Sequence, residues 1–253
     1  MLLEVAHPWI VAVLLCATRI GIVLQLTPLL SGFGVPVRIK VALVLAISAA
    51  CVSRLAPPAS AAPADLAGLA LALVAELGNG ALFAYGVSAA FGAVAFAGKV
   101  LDIQSGFGLG NVFDPVTRSQ APLLGAILGQ LSIVVFFLSD AHHTLLRGLR
   151  FSLEQLPLGQ ALQIADPGLL VAQFGTIFSL GLVLAGPVAF LLFLLDIGLA
   201  VVSRTMPQMN VLMLGTPLKA GLSLGMLAAL GPQLGPVLQR IFAALFNFWT
   251  ALL

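Results

Sequence analysis

Charge is scarce in this chain: 8% of its 253 residues are Asp, Glu, Lys or Arg, and the formal net charge is +2. Soluble domains carry about a quarter charged residues, so an ordinary soluble domain is excluded. The basic residues stand singly rather than in a groove-sized patch, which argues against nucleic acid as a partner. Cysteine is nearly absent as well. Cys16 and Cys51 both lie in apolar segments without CxxC spacing and read as small buried hydrophobes, not as disulfide or metal partners. GxSxG, HExxH, a Walker A sequence and paired-carboxylate spacing are all missing, so neither an enzyme nor a cofactor site is expected. The amino terminus has Glu4 and no Lys or Arg ahead of its apolar run, unlike the basic start of a signal peptide. Insertion through the first helix is expected instead.

What the chain has is apolar length. Hydrophobic residues make up 60% of it and its mean hydropathy is +1.14. Apolar regions run over Pro8 to Leu30, Val37 to Leu55, Leu66 to Ala97, Leu123 to Leu138, Leu169 to Val202 and Val211 to Leu230, followed by an aromatic tail from Val237 to Leu253. Runs of about 20 residues cross a hydrocarbon core as helix, and they leave no room for a separate globular domain. The reading is all-α, multi-pass, one membrane-embedded unit over residues 1–253. The third and fifth regions are too long for one straight crossing, so a tilt, a break or a hairpin is expected, with Gly78, Gly80, Gly86 and Gly92, and then Gly186-Pro187, as candidate breaks. The small-xxx-small spacings Gly221 to Gly225 and Gly231 to Gly235 imply close packing, within the chain or against other chains.

Arg38, Lys40 and Arg54 stand at the ends of the second of these regions, whereas four charges fall well inside them: Arg19, Glu76, Asp196 and Lys219. Each costs on the order of 3 kcal/mol at the centre of a spanning helix, so each needs a partner or water. Internal salt bridges, an ion relay of the secondary-transporter kind and contacts with other subunits all remain open. Asp140, His142 and His143 invite a metal reading, but adjacent histidines on a helix diverge by about 100° and no further ligand lies nearby, so no metal is expected. Ser139 or Asp140 instead reads as the cap of an amphipathic helix bearing Leu145, Leu146 and Leu149, with Arg147 and Arg150 in later turns, lying at a membrane or protein boundary.

Between the third and fourth regions runs Gly98 to Pro122, GKVLDIQSGFGLGNVFDPVTRSQAP, glycine-rich and partly polar. Non-helical backbone at membrane depth must be sheltered by protein or line a water-filled cavity. Gly106, Gly108 and Gly110 give it backbone freedom, and Phe107 and Phe113 supply bulk that could close a narrow lumen.

The stretch AGKVLDIQSGFGLGNVFDP from Ala97 to Pro115, SDAHHTLLRGLRFSLEQLPLG from Ser139 to Gly159, and MPQMNVLMLGTPLKAGLSL from Met206 to Leu224 resemble the FliR family of flagellar biosynthetic proteins and its SctT counterparts in type III secretion. Arg19, Pro28, Pro36, Arg38 and Lys40 fall as the amino-terminal motif of that family would. Ala141 stands where the family usually has glycine, and Lys99 where an acidic residue is frequent. The resemblance implies helical hairpins packed into a larger helical export-gate assembly, with a FliP-like part at roughly 1–165 and a FliQ-like part at roughly 166–253. It implies FliP-like and FliQ-like partners, contacts with FlhB and FlhA proteins, unfolded export substrates and membrane lipid, at the inner membrane in the flagellar basal body. It also implies that Gly106, Phe107, Gly108, Gly110, Phe113 and Asp114 belong to a channel plug. The alternative function is a self-sufficient secondary transporter for a small solute.

Overall fold

The computed structural model describes residues 2–28, 34–55, 65–107, 122–162, 167–208 and 210–252. Every element among them is a helix: α1 (Leu2–Leu26), α2 (Val37–Leu55), α3 (Leu66–Ser105), α4 (Leu123–Leu138), α5 (Ala141–Gln155), α6 (Gly168–Thr205), α7 (Val211–Ala229) and α8 (Gly231–Leu252). The all-α, membrane-type reading holds. Among the described residues three helical stretches are long and apolar enough to cross a membrane, Pro8–Leu26, Leu66–Ser105 and Gly168–Thr205, or up to five if each of two bent pairs counts as one span. α2, with Arg38, Lys40 and Arg54, is not among them.

The expected breaks in the two longest runs do not occur. α3 runs unbroken for 40 residues through Gly78, Gly80, Gly86 and Gly92, and α6 for 38 residues through Gly186-Pro187. At 1.5 Å per residue α3 is about 60 Å long, twice a typical hydrocarbon core. Glycine weakens a helix where water competes for the backbone, and that competition is weak among apolar neighbours. The sharp bends fall elsewhere, 70° between α4 and α5 and 72° between α7 and α8.

Two compact units make up the chain. The first comprises residues 1–89, 140–173 and 244–253. In it α1 packs against α2. Val11, Leu15 and Ala72 form a buried cluster against Leu69, Leu73 and Leu158. Trp249 anchors a second cluster: its ring meets Phe83 edge-on at 5.3 Å, and its indole N–H donates to Phe83 O at 3.1 Å. Gly148 lies under that ring, where a Cβ would come within 2.6 Å of it. α5 buries Ala141, Leu145, Leu149, Ser152 and Leu153 and exposes Arg147 and Arg150, the expected amphipathic pattern except at Leu146, which is 41% exposed.

The second unit comprises residues 90–139 and 174–243. Phe91, Phe136 and Phe242 meet there with ring centroids 5.1 to 5.8 Å apart. α3 and α4 approach so closely that a Cβ on Gly98 would overlap the Gly125 backbone, and a Cβ on Gly181 would sit 2.9 Å from Ala93 O. In the first unit a Cβ on Gly80 would likewise lie 2.9 Å from Arg19 O, and one on Gly86 2.9 Å from Leu245. At Gly221, Gly225, Gly231 and Gly235 an added Cβ would meet nothing within 4 Å.

Candidate functional site

Arg19 and Glu76 stand on α1 and α3 of the first unit, both completely buried. Their contact is two-pronged: Arg19 Nε donates to Glu76 Oε2 at 2.6 Å and Nη2 to Oε1 at 2.9 Å. The remaining guanidinium hydrogens go to the C-terminal end of α5. Nη1 reaches Ser152 O at 3.0 Å, and both Nη atoms reach Leu156 O at 3.2 Å. Ser152 O already accepts from the Leu156 N–H at 2.9 Å, whereas Leu156 O lies past the helical ladder, and a cation there complements the helix dipole.

Glu76 works in the opposite direction. Its Oε1 also accepts from the Gly159 N–H at 2.8 Å. One turn on, Asn79 Nδ2 donates to Gln160 O at 2.8 Å and Asn79 Oδ1 accepts from Leu162 N–H at 2.9 Å. Gly159 has φ +84°, and an added Cβ would lie 3.3 Å from the Ala72 methyl. Only glycine takes that backbone without strain while presenting its N–H to the carboxylate. The center therefore ties α1, α3, the end of α5 and the following residues together.

Asp196 of α6 and Lys219 of α7 form an ion pair in the second unit, with 44% and 22% of their side-chain surfaces exposed. The pair borders a cavity of about 390 Å³ whose other walls include Gln104, Gly106, Ser203 and Thr216. Gln104 Oε1 is buried and meets no donor among the described residues.

Of the residues assigned to a plug, Gly106 and Phe107 are described and half-buried; Gly108, Gly110, Phe113 and Asp114 lie outside the described residues. Gly106 closes α3 with φ +88° and donates its N–H to Ile103 O at 3.3 Å. Asp102, one turn earlier and 2% exposed, accepts from Leu124 N–H at 2.8 Å through Oδ1 and from Gly125 N–H at 2.9 Å through Oδ2. It thus caps α4, whose own N-cap residue, Pro122, offers no side-chain acceptor. The two ends of the 106–122 connection are tied together by this one carboxylate.

At the start of α5 the expected side-chain cap is not made. Asp140 occupies the N-cap position, but with φ 55° its side chain caps nothing, and the Ser139 hydroxyl turns back to Phe136 O at 3.4 Å. Left-handed backbone at Asp140, placed at a 70° bend, turns the carboxylate away from the helix N–H groups. It lies 3.4 Å from His143 Nδ1 instead. Ligand atoms of Asp140, His142 and His143 come within 4.8 Å of one another, around two imidazoles whose ring centroids are 4.1 Å apart.

Asp102, Asn79, Ser152 and Gly159 received no role from the sequence. Glu76 and Asn79 do carry a signal, since two polar residues three apart share one helix face. Asp102 sits in the last turn of a long apolar helix just before a glycine, and its partner amides lie 22 and 23 residues on.

Residues 10–245 match the family described as bacterial export proteins, family 1. The chain belongs to that family. Arg19, Glu76, Asp102, Gly106, Asp196 and Lys219 all fall inside the matched span. Among its relatives, the flagellar biosynthetic protein FliR of Bacillus subtilis (strain 168) is 29% identical, over 92% of this chain and 90% of the relative. FliR of Escherichia coli (strain K12) is 28% identical, over 90% and 87%. The Yop proteins translocation protein T of Yersinia pestis is 30% identical, over 61% and 60%. The chain is thus a structural member of a bacterial export family, and a self-sufficient solute transporter is set aside.

Proposed function

We propose that this chain is a channel subunit of a flagellar type III protein export gate in the bacterial inner membrane, where it helps form and close a conduit for unfolded export substrates. The family match across residues 10–245 carries the reading. Flagellar rather than virulence use is favored because the likeness to the two FliR proteins covers about nine tenths of the chain, against 61% for the Yersinia relative. Its partners are FliP-like and FliQ-like subunits, which its segments at roughly 1–165 and 166–253 respectively resemble, with FlhB and FlhA proteins in contact. It performs no chemistry of its own; energy for export comes from other components.

Closure is assigned to the 106–122 connection. Gly106, Phe107, Gly108, Gly110, Phe113 and Asp114 form the plug, and Asp102 holds its base. A bulky apolar side chain in a narrow passage excludes water and ions, while the capped α4 gives the connection a fixed footing. In the assembled complex, replacing Phe107 and Phe113 by Ala raises ion conductance across a planar bilayer; unchanged conductance defeats the plug assignment.

A further inference from the structure

Between α1, α2 and α5 of the first unit lies a groove of about 280 Å³, lined by Ile20, Ile47, Ala50, Cys51, Leu146 and Leu149, with Arg54 and Arg150 at its edge. The family reading gives it no task. We infer that this groove binds one acyl chain of an anionic phospholipid, with Arg54 and Arg150 receiving the phosphate.

Charge and setting both favor that occupant. Arg54 is exposed and has no acidic partner among the described residues. Arg150 Nε donates to Glu154 Oε1 at 2.8 Å, which leaves the two Nη groups of its fork open to a further acceptor. Arg147 adds a second exposed cation on α5, so Glu154 does not neutralize this end of the helix. The lining itself is aliphatic apart from the Cys51 thiol, and Ile20 belongs to a helix long and apolar enough to span a membrane. α5 is amphipathic, with an apolar face inward and arginines outward, as suits a helix at the headgroup level. An apolar slot beneath a basic rim, among membrane helices, is the arrangement that holds an acidic headgroup.

The two cysteines supply the readout, because Cys51 lines the groove and Cys16 is fully buried and serves as an internal control. Full-length protein in detergent is treated with N-ethylmaleimide after addition of phosphatidylglycerol or of phosphatidylethanolamine with the same acyl chains. Intact mass follows the alkylation. At subsaturating lipid, phosphatidylglycerol slows Cys51 alkylation about thirty-fold more than phosphatidylethanolamine does, the scale expected when two basic side chains meet a net negative headgroup and not a zwitterionic one. In Arg54→Gln/Arg150→Gln that preference disappears, with the circular dichroism unchanged. Native mass spectrometry of the same samples gives a second measure: retained phosphatidylglycerol exceeds phosphatidylethanolamine in the wild type and not in the variant. Equal effects of the two lipids, or a preference that survives the double substitution, overturn the assignment. So does protection of Cys51 that appears only when a second protein is co-purified, which would make the groove a subunit interface.

Discussion

Arg19 and Glu76 are wholly buried and share a two-pronged contact, backed by carbonyls at the end of α5 and by the Gly159 amide. Asp196 and Lys219 meet beside a cavity, with 44% and 22% of their side-chain surfaces uncovered. Both pairs arise from the same kind of sequence feature, a charge within an apolar helix, yet they carry different energies. A buried ion is stable only while every group around it is satisfied, so losing one partner is costly. A half-exposed pair is screened and loosely held, and its loss is cheap. The first pair therefore acts as a structural fastener, whereas the second keeps a charge available at a surface.

The largest test of that contrast is Glu76→Ala, which leaves a guanidinium uncompensated and lowers stability by about 3–5 kcal/mol in thermal unfolding in detergent. Arg19→Met with Glu76→Leu recovers only part of the loss, because Leu156 O and Gly159 N–H stay without their partners. Gly159→Ala comes next, at about 1–2 kcal/mol for left-handed backbone alone, read by the same melting experiment. Asp102→Ala removes the cap of α4 and costs about 1 kcal/mol. Its signature is faster amide exchange at Leu124 and Gly125 with no change at Gly159. Asp196→Asn is the smallest, under about 1 kcal/mol, and high salt narrows the difference further. A loss from Asp196→Asn in the isolated chain as large as that from Glu76→Ala would break the comparison.

Much of the fold was legible because apolar length and period are local properties. Among the described residues each apolar run is helical, and the amphipathic face of α5 was readable from Leu145 and Leu149 against Arg147 and Arg150. Glycine and proline punctuation misled in α3 and α6, since its cost depends on surroundings that a sequence window does not contain. Of the real bends, the one at Leu230 precedes Gly231-Pro232, the same dipeptide that leaves α6 unbroken at Gly186-Pro187, and the one at Ser139–Asp140 has no glycine or proline. The sites were less legible for a similar reason. That Arg19 and Glu76 need partners follows from cost alone, but their choice of each other across 57 positions, and of the α5 carbonyls, is decided by tertiary packing. Asp102 was hidden by its place in the last turn of a helix, where a carboxylate would ordinarily point to solvent.

The most direct test of the account is the mass of the detergent-extracted particle when this chain is expressed alone and then with FliP-like and FliQ-like proteins from the same source. The export-gate reading predicts a discrete mixed complex containing this chain in the second case. A stable, monodisperse particle of this chain alone under both conditions would contradict it.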